Sequence, residues 1–196
     1  MPGGVLIATW SVQWNAMQSE ALREAVTAAA GRTEVRDAVA AVYADLQSQI
    51  DARKPVCTAS GRCCRFDEFG HRLYVTTMEL AAFTHGLRGA GPSSGRNARP
   101  GDGLALPSGC PFQIDGLCSV HPIRPFGCRV FFCDATSTDW QNGQYERLHK
   151  ELKRLHETLA VPYFYVEWRQ ALAALEIDAD RPTQPKSSLS LRQLRL

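Results

Sequence analysis

All seven cysteines of this 196-residue chain lie in two short runs. The first holds Cys57, Cys63 and Cys64, and the second holds Cys110, Cys118, Cys128 and Cys133. Thiolates are the ligands that zinc and iron–sulfur clusters use, and several must come within bonding distance of one centre. Close spacing on loops achieves this at little conformational cost. The spacings are C-x5-C-C and then C-x7-C-x9-C-x4-C, without the C-x2-C knuckle of a zinc ribbon. Seven thiolates exceed the four that one tetrahedral zinc or one ordinary cluster needs, so there are two centres or some cysteines stand outside the ligand shell. Buried cysteines acting as small hydrophobes, or paired as disulfides, explain the clustering less well.

The neighbours of the cysteines fit an anionic centre. Arg124 and Arg129 flank Cys128. They would offset the charge of a thiolate-bound cluster and donate to its sulfurs, making them candidate cofactor-binding residues; ion pairing with Asp134 or Glu79 is the alternative. His121 is a possible fourth ligand of a Cys3His zinc site or a packing residue. Phe126, Phe131 and Phe132 would shield the centre from water. Glu146 and His149 make one Glu-x-x-His pair, where di-iron bundles use two.

At these residues the chain resembles the YkgJ-type cysteine-cluster family, a zinc- or iron-chelating domain. The resemblance rests on Cys57, Cys63 and Cys64, then Cys110-Pro111 and the run Cys118-Ser-Val-His-Pro-Ile-Arg-Pro-Phe-Gly-Cys128-Arg129. It covers about residues 55–135 and includes Thr76 and Glu79. Where the family has its second cysteine, this chain has Ser60, a poorer ligand. The resemblance implies a metal centre but no single reaction, because family members are described both as zinc binders and as iron–sulfur proteins.

The elements that position these residues follow from apolar periodicity. Residues 16–30 read as a helix ending at Gly31. Residues 33–53 read as an amphipathic helix with Val35, Val39, Val42, Leu46 and Ile50 on one stripe, stopped by Pro55 just before Cys57. Leu73 to Val75 read as a strand. Thr76 and Glu79 form a capping box opening a helix to about His85, ended by Gly86. Residues 86–109, rich in Gly, Pro, Ser and Arg, read as a long mobile loop. Residues 110–120 read as a hairpin with a type I′ turn at Asp115-Gly116. Cys128 to Cys133 fit a strand or a short helix. Thr138 and Gln141 read as another capping box, opening a helix from about 139 to 159. Pro162 suits the first turn of a final helix carrying Phe164, Trp168, Leu172 and Leu175. No internal repeat is evident.

The expected fold is mainly α, within the α+β class: a helical domain with a small β-hairpin and cysteine-bearing loops around a metal centre. Residues 1–54 would supply N-terminal helices packing on the core, 55–177 the cysteine-cluster domain, and 178–196 a disordered basic tail. Net charge is +2, which does not suggest nucleic-acid binding, and no run approaches the ~20 apolar residues of a membrane span. The run MPGGVLIATWSVQW lacks a charged n-region, so a cytoplasmic chain with reduced thiols is expected. A Walker loop, a nucleophile elbow and a dinucleotide fingerprint are absent.

Two functional expectations follow. In the first, cysteines of both loops (Cys57, Cys63, Cys64, Cys110, Cys118, Cys128, with Cys133 as a replacement thiolate) hold a [4Fe–4S] or [2Fe–2S] cluster in a redox or group-transfer enzyme. In the second, the same residues hold zinc in a non-enzymatic module that binds a protein partner, or in a metal carrier.

Overall fold

The computed structural model describes residues 15–89 and 108–177. The basic tail and most of the expected 86–109 loop lie outside the described residues.

The fold is mainly helical with small antiparallel pieces. Helix α1 (Ala16–Ala30) opens on Asn15, whose side chain accepts from Gln18 N while Gln18 Oε1 accepts from Asn15 N. Helix α2 (Thr33–Arg53) buries Val35, Val39, Val42 and Leu46 as the periodicity requires, and Ile50 is half-buried. It ends at Lys54, which turns left-handed (φ 55°) before Pro55. Strand β1 (Tyr74–Thr76) runs directly into helix α3 (Thr77–Gly89). The expected box is formed: Thr76 N donates to Glu79 Oε2 at 2.9 Å, and Glu79 N to Thr76 Oγ1 at 3.4 Å.

Helix α3 continues past His85 and Gly86 to Gly89. Gly86 serves packing there, because a Cβ at that position would stand 2.8 Å from Ile123 Cγ2. The short 3-10 turn His121–Ile123 fits against the helix at that gap.

Strands β2 (Gln113–Ile114) and β3 (Leu117–Cys118) form the expected hairpin, with Asp115 (φ 49°) and Gly116 (φ 79°) both positive as a type I′ turn demands. Helix α4 (Phe126–Val130) resolves the open reading of Cys128 to Cys133 in favour of a single helical turn followed by extended chain.

Helix α5 (Thr138–Thr158) does not open on a Thr138–Gln141 box. Gln141 instead holds the preceding segment, accepting from Phe132 N at 2.9 Å, and Asp134 caps the 3-10 turn Ala135–Ser137. Pro162 likewise starts no helix. Residues Tyr165–Glu167 are strand β4, paired antiparallel with β1 (Tyr74↔Glu167, Thr76↔Tyr165), and only then does helix α6 (Trp168–Ala174) begin, capped by Glu167.

The buried side chains form three adjoining clusters. One joins Leu22 and Val26 of α1 to Phe66, Leu80, Phe83, Phe112, Val120 and Trp168. The second joins α1, α2 and α3 through Ala29, Val35, Val39 and Met78. The third joins α2, α4 and α5 through Val42, Leu46, Phe126, Leu148 and Leu152. Among the described residues no helix is long and apolar enough to cross a membrane.

Candidate metal centre

Five cysteines meet where three segments are tied together. Cys63 and Cys64 sit on the 3-10 turn Arg62–Cys64, which leaves Gly61 at φ 69°. A Cβ at Gly61 would crowd Gln113 Nε2 at 2.5 Å, so the loop closes onto the hairpin only because glycine stands there. Gln113 fastens the two: its Nε2 donates to Gly61 O at 2.9 Å and to Gly116 O at 3.1 Å. Cys110 is strapped to the same turn by its own N–H, which donates to Cys64 O at 2.7 Å, and Asp67 N donates to Ser108 O at 3.0 Å beside it. Cys118 lies on β3 opposite Gln113. Cys128 lies on α4, after Pro125.

Cys64 is the hub. It is buried, and its thiol hydrogen-bonds with the side chains of Cys110, Cys118 and Cys63, which holds it protonated and well above the usual thiol range. The three neighbours move the opposite way. The Cys64 hydrogen bond, helped by the Arg124 charge, brings Cys63 down to about 6. The same bond brings Cys118 down to about 7, with Val120 N–H and Arg124 assisting. Cys110 is also lowered, first by Cys64. Burial pushes Cys128 up, and negative charge on Cys110, Cys118 and Cys63 pushes it further. The group therefore shares protons among itself and has Arg124 as its cation.

Two buried N–H groups lie next to this group. Arg124 Nε is buried with no hydrogen-bond partner, although its guanidinium acts on Cys63, Cys118 and Cys128. Trp168 Nε1 is buried too, and its counterpart is the Cys110 sulfur, whose pKa it lowers. Orphaned buried donors are costly and therefore rare, and that of Arg124 beside a sulfur cluster marks a place suited to an electron-rich group.

The structure separates the two arginines predicted to flank the centre. Arg129 donates from Nε to Arg124 O at 2.8 Å and from Nη2 to Pro122 O at 2.5 Å, and its guanidinium lies 4.3 Å from the centroid of the Tyr43 ring. It clamps the backbone that carries Arg124. His121 is exposed on its 3-10 turn. Of the remaining cysteines, Cys57 is exposed and Cys133 meets Ser60, with Ser60 Oγ 3.3 Å from Cys133 Sγ. Ser60 thus stands beside Cys133. His149 is bonded to Tyr163 Oη at 2.8 Å and stacked on Tyr165, which leaves its ring in an aromatic array on α5.

Gln113 and Trp168 were not singled out from the sequence as parts of the site. The signal for Gln113 is its place just before the Asp-Gly turn; that of Trp168 depends on β4 pairing with β1, which no local pattern announces.

The donor set suits a soft metal, but the thiols are held to one another rather than set out as ligands. Among the described residues, no group of three or more His, Cys, Asp or Glu side chains is arranged to hold a metal ion as it stands. A metal bound here would have to replace the hydrogen bonds around Cys64 with metal–sulfur bonds and release protons. The five thiols and the orphaned Arg124 Nε–H fit a thiolate-ligated centre in chemistry. No family model, curated protein or solved structure matches the chain.

Proposed function

We propose that this chain is a metal-binding protein of the YkgJ-type cysteine-cluster kind, with an iron–sulfur cluster held by ligands drawn from Cys63, Cys64, Cys110, Cys118 and Cys128. The observation that carries the reading is the buried, unpartnered Arg124 Nε–H beside these five thiols. A guanidinium N–H left without an acceptor in a protein interior is unfavourable. Sulfide or thiolate on a cluster would accept that bond, and the cation would offset the cluster's negative charge. An iron–sulfur cluster supplies one-electron redox chemistry. The chain's own residues contribute the rest: Cys64 and its partners give up protons to become ligands, Arg124 balances charge, and Phe66, Phe112 and Trp168 pack the protein side against water. A centre built on reduced thiols suits a cytoplasmic protein, which is the localisation this reading takes.

A second reading has its own support. Four of the five thiols, Cys63, Cys64, Cys110 and Cys118, hydrogen-bond around one sulfur. Four thiolates are the complement of a tetrahedral structural zinc, with Cys128 left outside.

Anaerobic purification of the full chain separates the two. The first reading expects a brown protein with broad visible absorbance and iron and acid-labile sulfide in comparable amounts. Cys64→Ser should lose both, whereas Cys57→Ser should retain them. A colourless protein with stoichiometric zinc supports the second reading. A protein with neither metal, or one in which Cys64→Ser keeps its full content, sinks both.

A further inference from the structure

Beside the thiol group the surface opens into a cleft of about 160 Å³. Cys63 and Cys128 reach it from the centre, together with Gly127, Leu73 and Val130. Its aromatic lining is Phe66, Phe131, Tyr74 and Tyr145, with His71 stacked on Phe131 (centroids 5.4 Å apart, planes 13° apart). Phe131 and Tyr74 are each 38% exposed, so both rings are open to a ligand as well as to the protein. The rim carries the exposed side chains of Arg72 and Asn142.

Three features select the ligand. The volume is about that of a cavity known to accept one six-membered ring, and well below the several hundred Å³ of a drug-sized site. The aromatic rings favour a flat, polarisable guest, which they can meet by offset or edge-to-face stacking. Among the described residues no Asp or Glu lines the cleft; its acidic group is the Cys63 thiol on the side of the centre, and Arg72 supplies a cation at the rim. A planar guanidinium binds a carboxylate through two parallel hydrogen bonds.

We propose that this cleft binds a small aromatic carboxylate, with the ring among Phe131, Tyr74 and Tyr145, the carboxylate on Arg72, and the ring edge toward the sulfurs of Cys63 and Cys128. The proposal rests on Cys63 and Cys128 belonging to the metal centre only for what binding would accomplish, since it places an organic molecule against two ligands. The cleft itself exists without the metal. Tyr145 also joins the site to the outer surface, through its hydroxyl contact with Tyr165 Oη at 2.5 Å and the stack of Tyr165 on Tyr74.

Benzoate is the probe, titrated into the full-length protein as isolated and followed by the fluorescence of its aromatic residues and by ligand-observed NMR, with iron, sulfide and zinc measured on the same samples. The expected result is saturable binding that weakens at least ten-fold in Arg72→Ala and in Phe131→Ala, with benzyl alcohol and benzylammonium each at least ten-fold weaker than benzoate. Arg72 is exposed, so Arg72→Ala should fold and keep the metal content of the parent, and Phe131→Ala is compared with it for fold by its circular dichroism. Absence of saturable benzoate binding, or equal binding by Arg72→Ala, overturns the cleft assignment. A protein that holds metal but not benzoate refutes only the cleft. One that binds benzoate in this pattern but holds no metal leaves the cleft standing and refutes the centre.

Discussion

Arg124 and Arg129 are five residues apart and look equivalent as a sequence pair beside Cys128, but their donors go to different places. Arg129 reaches back along its own turn to the carbonyls of Arg124 and Pro122 and stacks on Tyr43. Arg124 keeps its Nε–H buried and unmatched near the sulfurs. Hydrogen bonds involving a charged group contribute ~1.5–3 kcal/mol. For a one-electron couple, ten-fold in equilibrium is ~59 mV, so removing such a bond and its charge should shift a potential by on the order of 60–130 mV. In the iron–sulfur reading, Arg124→Met should therefore lower the reduction potential of the purified protein by about that much, because the cation and donor favour the reduced, more negative cluster. Arg129→Ala should chiefly lower thermal stability. Spectroelectrochemical titration of both variants checks this, and an unmoved potential in Arg124→Met removes Arg124 from the centre. The pairing of arginine with cysteine was legible in sequence; the division of labour was not, because it depends on which carbonyls α4 turns toward each guanidinium.

Glu79 ties several elements at once. Its carboxylate accepts from Thr76 N and Thr76 Oγ1 at the β1–α3 junction, and from Phe126 N at the start of α4. Burial outweighs those bonds and raises its pKa from 4.5 to about 7. A folded pKa above the unfolded one means that this group's contribution to stability is present in full below about pH 4.5 and is lost as pH rises through 7. At 1.36 kcal/mol per unit the loss is on the order of 3 kcal/mol. Glu79→Gln cannot ionise, so the difference in unfolding free energy between wild type and variant should change between pH 5 and pH 8 by an amount of that order. At pH 5 the variant should be the less stable by ~1–3 kcal/mol, because an amide cannot accept at both ends. Urea melts at the two pH values test this, and parallel pH profiles would mean that Glu79 is not the titrating group. The Thr76–Glu79 box was readable because its partners are three residues apart. The pairing of β1 with β4 was not, since Val75 meets Val166, nearly half the chain away. That pairing is why Pro162 opens no helix: residues 165–167 stay extended on β1 before Glu167 caps α6. It also shows a likeness absent from the sequence reading. Tyr74-Val75 and Tyr165-Val166 each begin a three-residue strand that runs into a helix opened by a glutamate side chain, and the two strands pair antiparallel.

Across the whole molecule, the cysteines pack on one of the three buried clusters, the one that also takes Leu22 and Val26 of α1 and Leu80 and Phe83 of α3, and not on the other two. Cys64 is buried beside Phe66, and Cys110, Cys118 and Cys128 pack against the cluster of Phe66, Phe112, Val120 and Trp168. The clusters that join α1, α2 and α3, and α2, α4 and α5, contain no cysteine. The helical stripes legible in sequence made those two clusters predictable, whereas the loops around the thiols depend on a few long-range bonds such as Gln113 to Gly61. Local opening should follow this boundary, because regions with few buried apolar contacts open at lower free energy than the packed core. In the metal-binding reading, chelation at neutral pH should therefore leave most of the far-UV helical signal and a cooperative melt. It should increase proteolytic cutting and amide exchange over residues 57–64 and over the hairpin at 113–118, which are mostly exposed or half-buried. In small zinc modules the metal supplies folding free energy outright, and chelation unfolds them. Complete loss of helical signal on chelation would mean that the thiol loops, rather than the α1–α2–α3 and α2–α4–α5 clusters, determine whether this chain folds.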